Sequence, residues 1–125
     1  MRRVHIRNRS QPFKKPLVAD YCQSFLCKLR GLALHRALPE ERGLLLVDAH
    51  ESRLGAAVHM LAMTFDLTIV WLDSNLNVVD LRLARRWRSF IVPRNPARFV
   101  LECAASRYED FHIGDRLALE DAPLA

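Results

Sequence analysis

The chain has 125 residues, of which half are hydrophobic and about a quarter are charged. This length suits a single domain and excludes a solenoid or a multidomain enzyme, and the composition excludes disordered and fibrous proteins. No apolar run approaches the roughly 18 residues that a membrane-spanning helix needs, so the sequence predicts a soluble protein.

The net charge of +5 is concentrated in two segments. Residues 1–15 contain six Lys and Arg with no acid, and residues 80–98 contain six Arg with one Asp. Clustered cations of this kind attract nucleic acid, an anionic membrane surface or an acidic protein. The alternative is that both segments simply face water and keep the protein in solution.

Residues 1–16 lack a periodic hydrophobic pattern and contain Pro12 and Pro16, which predicts a flexible basic arm. A helix of about ten residues is expected from Asp20, with Gly31 at its end. Together these signals divide the chain into the arm, a single β-rich domain over 17–121 and a tail over 122–125.

The remaining elements are predicted mostly as strands. Leu44 to Val47 is a short buried strand, and the stretch Ala56 to Phe65 is ambiguous between helix and strand. The clearest hairpin joins Leu67–Leu72 to Val78–Leu83 through a five-residue turn. Further strands are predicted at Trp87 to Val92, Arg98 to Cys103 and Arg116 to Leu119, and the capping-box pair Ser106 and Glu109 predicts a short helix before the last of them.

These elements amount to about seven strands and two short helices, with no regular alternation of strand and helix. The sequence therefore predicts a mainly β protein, an antiparallel β-sandwich or partly closed barrel, and argues against a doubly wound sheet.

The three cysteines, Cys22, Cys27 and Cys103, have no C-x-x-C spacing and are an odd number, so neither a full disulfide framework nor a zinc knuckle is expected. Buried small hydrophobic roles in a reducing compartment are predicted instead. No apolar segment follows Arg2 and Arg3 as an export signal would require, which also predicts a cytoplasmic protein.

Several short strings occur in an order that resembles a known family, the domain of unknown function 192. They are Arg30-Gly31-Leu32, Leu38-Pro39, Gly43-Leu44-Leu45, Trp71-Leu72-Asp73, Pro96-Ala97-Arg98-Phe99-Val100-Leu101-Glu102 and Gly114-Asp115-Arg116-Leu117. The match covers roughly Val18 to Leu119. The resemblance implies a small prokaryotic protein with a β-sandwich-like fold, and it implies no activity.

One segment departs from the family pattern. Where members of the family typically read Trp-Met-Lys-Asn-Thr and then Pro-Leu-Asp, this chain has His59-Met60-Leu61-Ala62-Met63 and then Asp66-Leu67-Thr68. Leu61 and Ala62 cannot supply amide or ammonium donors, so a ligand site carried by that strand in relatives is in doubt here.

The best candidates for metal or acid–base chemistry are His50, Glu51 and His59, with Asp48 nearby. They lack the spacing of an HExxH site, so they are weak metal candidates, and a solvated polar loop is the competing interpretation. The four glycines are separate turns and form no phosphate loop, and no catalytic triad is evident. The sequence predicts no cofactor and no catalytic residue.

The sharpest binding candidates are basic and aromatic residues close together in sequence: Arg82, Arg85, Arg86, Arg88 and Phe90. Proteins that bind single-stranded nucleic acid combine such residues. On a strand, however, Trp87 points away from Arg86 and Arg88, so one stacking platform does not form on a single face.

Three functions follow from these patterns. The first is a non-catalytic interaction or ligand-binding module, because no reactive motif is assembled. The second is binding of nucleic acid or another anionic polymer, or of an acidic protein, through the basic arm and the arginine-rich strand. The third is a small hydrolase or isomerase around Asp48, His50 and Glu51.

Overall fold

The computed structural model describes residues 2–24, 38–60, 63–86 and 90–122, with only the backbone of His59 and Phe90. The strands are β1 (Arg3–Asn8), β2 (Leu17–Cys22), β3 (Arg42–Ser52), β4 (Val58–His59), β5 (Leu67–Leu72), β6 (Val78–Ala84), β7 (Phe90–Ile91), β8 (Ala97–Ala104) and β9 (Leu117–Ala122). A 3₁₀ helix spans Ala105–Asp110. No helix in these ranges is long and apolar enough to cross a membrane.

Seven strands form one sheet in the order β6-β5-β8-β3-β2-β1-β9, and β4 pairs with β7 separately. The prediction of a mainly β fold is confirmed. The large sheet is mixed, because β2 runs parallel to β3 while the other pairs are antiparallel. The sheet is not closed by strand pairing, but a bridge between Asn77 and Arg116 and backbone hydrogen bonds between residues 76–78 and 114–117 join its two edges.

Apolar side chains form two layers. All seven strands of the large sheet contribute to the first cluster, so the sheet curls around it; Ile6, Leu45, Leu101 and Leu117 are examples. The second cluster covers the opposite face of β3, β5 and β8, where Trp71 packs with Met60 and other residues. The six residues of β5 are all buried because this strand is covered on both faces.

The prediction of a flexible basic arm over residues 1–16 is wrong for the first half of that segment. Arg3–Asn8 is a strand that pairs with both β2 and β9, so it lies inside the sheet and belongs to the same folding unit. Val4 and Ile6 face the first cluster while His5 and Arg7 face outward. The sequence prediction missed this strand because basic residues occupy its outward positions, although apolar residues alternate with them.

The helix predicted from Asp20 is also wrong at its start, since Asp20 and Cys22 lie in β2; the rest of it lies largely in residues 25–37, outside the described ranges. Cys22 is buried as expected, but it is disulfide-bonded, whereas Cys103 is a buried free thiol. Cys27 lies outside the described residues.

The stretch Ala56 to Phe65, ambiguous between helix and strand in the sequence, contains the two-residue strand β4, and Met60 and Met63 pack into the second cluster; residues 61–62 lie outside the described ranges. The strand predicted from Trp87 is observed as β7 alone, with 87–89 outside the described ranges.

The hairpin of β5 and β6 and the strands β3, β8 and β9 lie where the sequence predicts them, although β3 is longer than its apolar run. The helix predicted at Ser106 is a 3₁₀ helix whose N-cap residue, Ala104, has no side-chain hydrogen bond; Ser106 lies within the helix, and its hydroxyl donates to Glu40 at 2.6 Å.

Candidate anion-binding site

The structure places the predicted arginine cluster at the end of β6. Arg82 is part-buried, and Arg85 and Arg86 are exposed just beyond the strand. Asp66 opposes them: its carboxylate lies 3.6 Å from Nη1 of Arg85 and accepts a hydrogen bond from the backbone N–H of Arg86 at 2.9 Å. Their positive charge is therefore partly compensated.

The other two members of that cluster are not placed. Arg88 lies outside the described residues, and Phe90 begins β7 with only its backbone described. The proposed use of Phe90 as a stacking ring stays a prediction.

His50 and Glu51 are exposed neighbours near the end of β3, and His59 lies in β4. Glu51 accepts a hydrogen bond from the backbone N–H of Ser74 at 2.7 Å, so it holds the turn between β5 and β6. No group of three His, Cys, Asp or Glu side chains within the described ranges could hold a metal ion. Metal binding or acid–base chemistry at His50, Glu51 and His59 therefore stays a prediction from the sequence.

A more organised site lies where β1 and β2 diverge. The last β1–β2 pair is Ile6 with Leu17, after which β1 continues to Asn8 in pairing with β9 alone; residues 9–16 connect the two strands and are called the basic loop here. A cavity of about 520 Å³ opens within it. Its lining includes five basic side chains, those of His5, Arg7, Arg9, Lys14 and Lys15.

Asn8 holds the first half of the basic loop. Its side chain is 4% exposed, and its Oδ1 accepts hydrogen bonds from the backbone N–H groups of Ser10 and Gln11 at 3.0 and 3.1 Å. Its Nδ2 donates to the carbonyl of Asp110 at 3.1 Å and to the carboxylate of Asp115 at 2.7 Å. The loop is therefore tied through one amide to the segment that precedes β9.

Arg107 of the 3₁₀ helix holds the second half. Its guanidinium donates to the carbonyl oxygens of Lys15, Pro16 and Glu40 at 2.9, 3.1 and 2.7 Å, and to the carboxylate of Asp110. It also lies 5.0 Å from the ring centre of Phe13. A buried arginine whose N–H groups donate hydrogen bonds to backbone carbonyls holds the loop in one conformation.

Two of the four Lys and Arg residues that line the cavity are paired with acids. Arg7 pairs with Glu120 at 3.0 Å and Lys15 with Glu40 at 2.7 Å. The hydrogen bond from Lys15 raises the pKa of that amine and lowers the pKa of the Glu40 carboxyl.

Arg9 and Lys14 are exposed, and neither makes an ion pair with any described residue. Arg116 is a third exposed basic residue without an ion pair to any described residue, and its backbone contacts that of Arg9. The β1–β9 ladder pairs Asn8 with Leu117, and the backbone N–H of Arg9 extends it by donating to the carbonyl of Arg116 at 2.8 Å. The backbones of Arg9 and Arg116 therefore lie side by side just beyond the last pair of this ladder, and both residues are exposed.

Sequence reasoning singled out neither Arg116 nor the cavity. The alternation of Val4 and Ile6 with basic residues was the available signal for β1, whereas the pairing of β1 with β9 is a long-range contact that no local pattern encodes.

Comparison with protein families matches residues 5–119 to DUF192, described as "Uncharacterized ACR". Proteins named UPF0127 are similar: one from Thermococcus gammatolerans is 39% identical over 83 residues, which is 66% of this chain and 52% of that protein. One from Pyrococcus furiosus is 38% identical over 99 residues, covering 78% of this chain and 82% of that protein. The chain spans about half the length of the Thermococcus gammatolerans and Thermococcus kodakarensis relatives, 52% and 48% respectively.

Two crystal structures share the fold. One is a protein from Sinorhizobium meliloti described as a "putative transcription regulator", with a TM-score of 0.79 and 19% identity over 94% of this chain and 92% of that one. The other is a protein of unknown function from Novosphingobium aromaticivorans, with a TM-score of 0.73 and 17% identity over 93% of this chain and 83% of that one. Since the family model matches almost the whole sequence, the chain belongs to the DUF192 family, whose function is uncharacterised.

Proposed function

We propose that this protein is a non-catalytic binding module that holds an anionic ligand at the basic loop. The observation that carries the proposal is the charge of Arg9 and Lys14, which no described acid pairs with, on a loop whose backbone is already fixed, together with that of Arg116, whose backbone is joined to Arg9. A site that is ordered before the ligand arrives loses little conformational entropy on binding.

The size and composition of the cavity support binding. Its volume of about 520 Å³ falls within the roughly 300–1,000 Å³ of small-molecule sites. The residues that line it are basic, apolar or amide-bearing and include no hydroxyl, thiol or carboxylate side chain. A site of this composition can attract and orient an anion, but it lacks the nucleophiles and carboxylates of most hydrolytic centres.

Binding of a labelled single-stranded oligonucleotide of mixed sequence and of sulfate tests the proposal. For three phosphate contacts, oligonucleotide affinity should fall roughly 20-fold between 50 and 200 mM salt. The double variant Arg9→Gln/Lys14→Gln should lose binding of both anions. The proposal would be contradicted if the wild-type protein bound neither anion at 50 mM salt, or if this variant bound both anions as tightly as the wild type.

A second candidate is anionic-polymer binding through Arg82, Arg85 and Arg86, to which the sequence adds Arg88 and Phe90. The exposure of Arg85 and Arg86 favours it, and Asp66 weighs against it. The description of the Sinorhizobium meliloti protein as a "putative transcription regulator" would suit such a ligand, although 19% identity transfers the fold alone. The matched variant Arg85→Gln/Arg86→Gln separates the two candidates, since the first predicts that it keeps oligonucleotide affinity.

A cytoplasmic location stays a proposal, and the disulfide at Cys22 is the observation that opposes it. Disulfides persist mainly in oxidising compartments. Alkylation of thiols in intact source cells, followed by mass spectrometry, decides the point: alkylated Cys22 supports the cytoplasm, and fully oxidised Cys22 contradicts it.

A further inference from the structure

We infer that the group recognised at the basic loop is the dianionic phosphate of a small organic phosphomonoester, an inference that rests on the anion-binding function proposed above. The geometry of Arg9 and Arg116 carries it. Their backbones are joined by the hydrogen bond from the N–H of Arg9 to the carbonyl of Arg116 at 2.8 Å, just beyond the last β1–β9 pair. The two guanidinium groups can therefore reach one tetrahedral anion from two sides, each through a pair of N–H donors.

The backbone fixes this spacing before any ligand binds. The N–H of Arg9 donates to the carbonyl of Arg116 at 2.8 Å, and the N–H of Arg116 donates to the hydroxyl of Ser10 at 3.0 Å. Arg116 follows the turn at Gly114, whose φ of 95° suits glycine. Both arginines thus sit on anchored backbone while their side chains stay exposed and free to reach a ligand.

The charge balance points to a dianion. Arg9, Arg116 and Lys14 carry positive charge that no described acid pairs with, whereas Arg7 and Lys15 already have Glu120 and Glu40. A phosphomonoester carries about −1.5 to −2 charge at pH 7, because its second pKa is near 6. A phosphodiester offers one negative charge and fewer free oxygens, so it satisfies the cluster less well.

The cavity favours a small molecule over a polymer end. Its lining joins the basic side chains to apolar groups, including Ile6, Pro12 and Phe13. A volume of about 520 Å³ has room for the organic part of a drug-sized phosphate ester. We therefore assign the phosphate to the arginine pair and the organic part to the cavity.

The test compares adenosine 5′-monophosphate with its cyclic 3′,5′ diester by isothermal titration calorimetry. The two share base and ribose and differ in phosphate charge. We expect the monoester to bind at least tenfold more tightly at pH 7.5. Its affinity should fall roughly tenfold at pH 5, where about a tenth of the ester is dianionic. Sulfate, which is dianionic at both pH values, controls for pH effects on the protein itself.

Variants assign the effect to residues. Arg9→Gln and Arg116→Gln should each weaken monoester binding at least tenfold, while Arg85→Gln should leave it unchanged; far-UV circular dichroism verifies that each variant is folded. Equal affinity for monoester and diester, or wild-type affinity in Arg116→Gln, would overturn the inference. If sulfate still binds in an Arg9-dependent manner in that case, the phosphomonoester preference fails and the anion-binding function stands.

A further arm uses oligonucleotides with and without a 5′-phosphate. We expect the oligonucleotide with a 5′-phosphate to bind no more tightly than adenosine 5′-monophosphate does. A 5′-phosphorylated strand that binds more tightly than the free nucleotide would overturn the assignment to a small molecule.

Discussion

The side chain of Glu102 is an ionisable group that is buried without a described hydrogen-bond partner. It lies in β8 opposite Leu44 of β3 and Ile69 of β5, and it is 5% exposed. No described group donates a hydrogen bond to its carboxyl. Burial in this apolar setting raises its pKa from 4.5 to about 7. The folded protein therefore keeps the proton over a pH range in which the unfolded chain has lost it.

This proton makes stability depend on pH with a defined sign. Below about pH 4.5 both states hold the proton and stability is unaffected. As pH rises towards 7, the folded state binds more protons than the unfolded state, so the free energy of unfolding falls. The loss is complete above the folded pKa and amounts to about 3 kcal/mol for this shift.

We therefore expect Glu102→Gln to abolish that loss. Urea unfolding at pH 4 and pH 8 should show the variant gaining about 3 kcal/mol relative to wild type at the higher pH. Glu109→Gln, at an exposed position, is the control and should change little between the two pH values. A wild-type stability that does not fall relative to Glu102→Gln would show that the carboxyl is not buried as described.

At the scale of elements, the basic loop depends on a residue outside it. Arg107 is 2% exposed and bonds to three backbone carbonyls, two of them in the loop at Lys15 and Pro16. Removing one side of a buried charged network leaves its partners unsatisfied. The order of the loop and the stability of the whole domain should therefore fall together.

Arg107→Met tests this coupling because methionine fills similar volume without donors. We expect a loss of about 3 kcal/mol in the free energy of unfolding and faster hydrogen exchange at the amides of residues 10–15. Arg94→Met, at an exposed position, should change stability by less than about 0.5 kcal/mol. Unchanged exchange in the loop of Arg107→Met would mean that the loop is held by other contacts.

The elements also differ in how well sequence predicts them. The β5–β6 hairpin was predicted because its β-branched and alternating residues are bounded by the local turn at Asp73 to Asn77. β1 was missed because Arg3 and Arg7 look like solvated charge, although Val4 and Ile6 alternate with them. A local pattern could have found β1, but the parallel pairing of β2 with β3 depends on contacts between distant residues.

The candidate site was predictable only in its charge. The excess of cations in residues 1–15 was evident from the sequence. The order of the basic loop, however, depends on Asn8 and Arg107, and composition does not reveal that these two polar residues are buried. Arg116 carries no local signal, because its role comes from the pairing of β9 with β1. Glu102 was likewise hidden, since β8 is buried on both faces and alternation in that strand does not mark a solvent side.

At the scale of the whole molecule, the two basic segments have different structural settings. The first is built into the sheet as β1 and its loop, between β2 and β9. Of the second, Arg82, Arg85 and Arg86 lie at the end of β6, at the opposite edge in strand order, with Asp66 beside Arg85. The central claim is that the first, ordered segment binds anions and that the second does not.

Backbone amide shifts during a titration with sulfate test this claim most directly, because they report the position of binding in the intact protein. We expect saturable shifts at Arg9, Ser10, Lys14 and Arg116, and none at Arg85 and Arg86. Shifts centred on Arg85 and Arg86, or a spectrum without saturable shifts in the basic loop, would contradict the account.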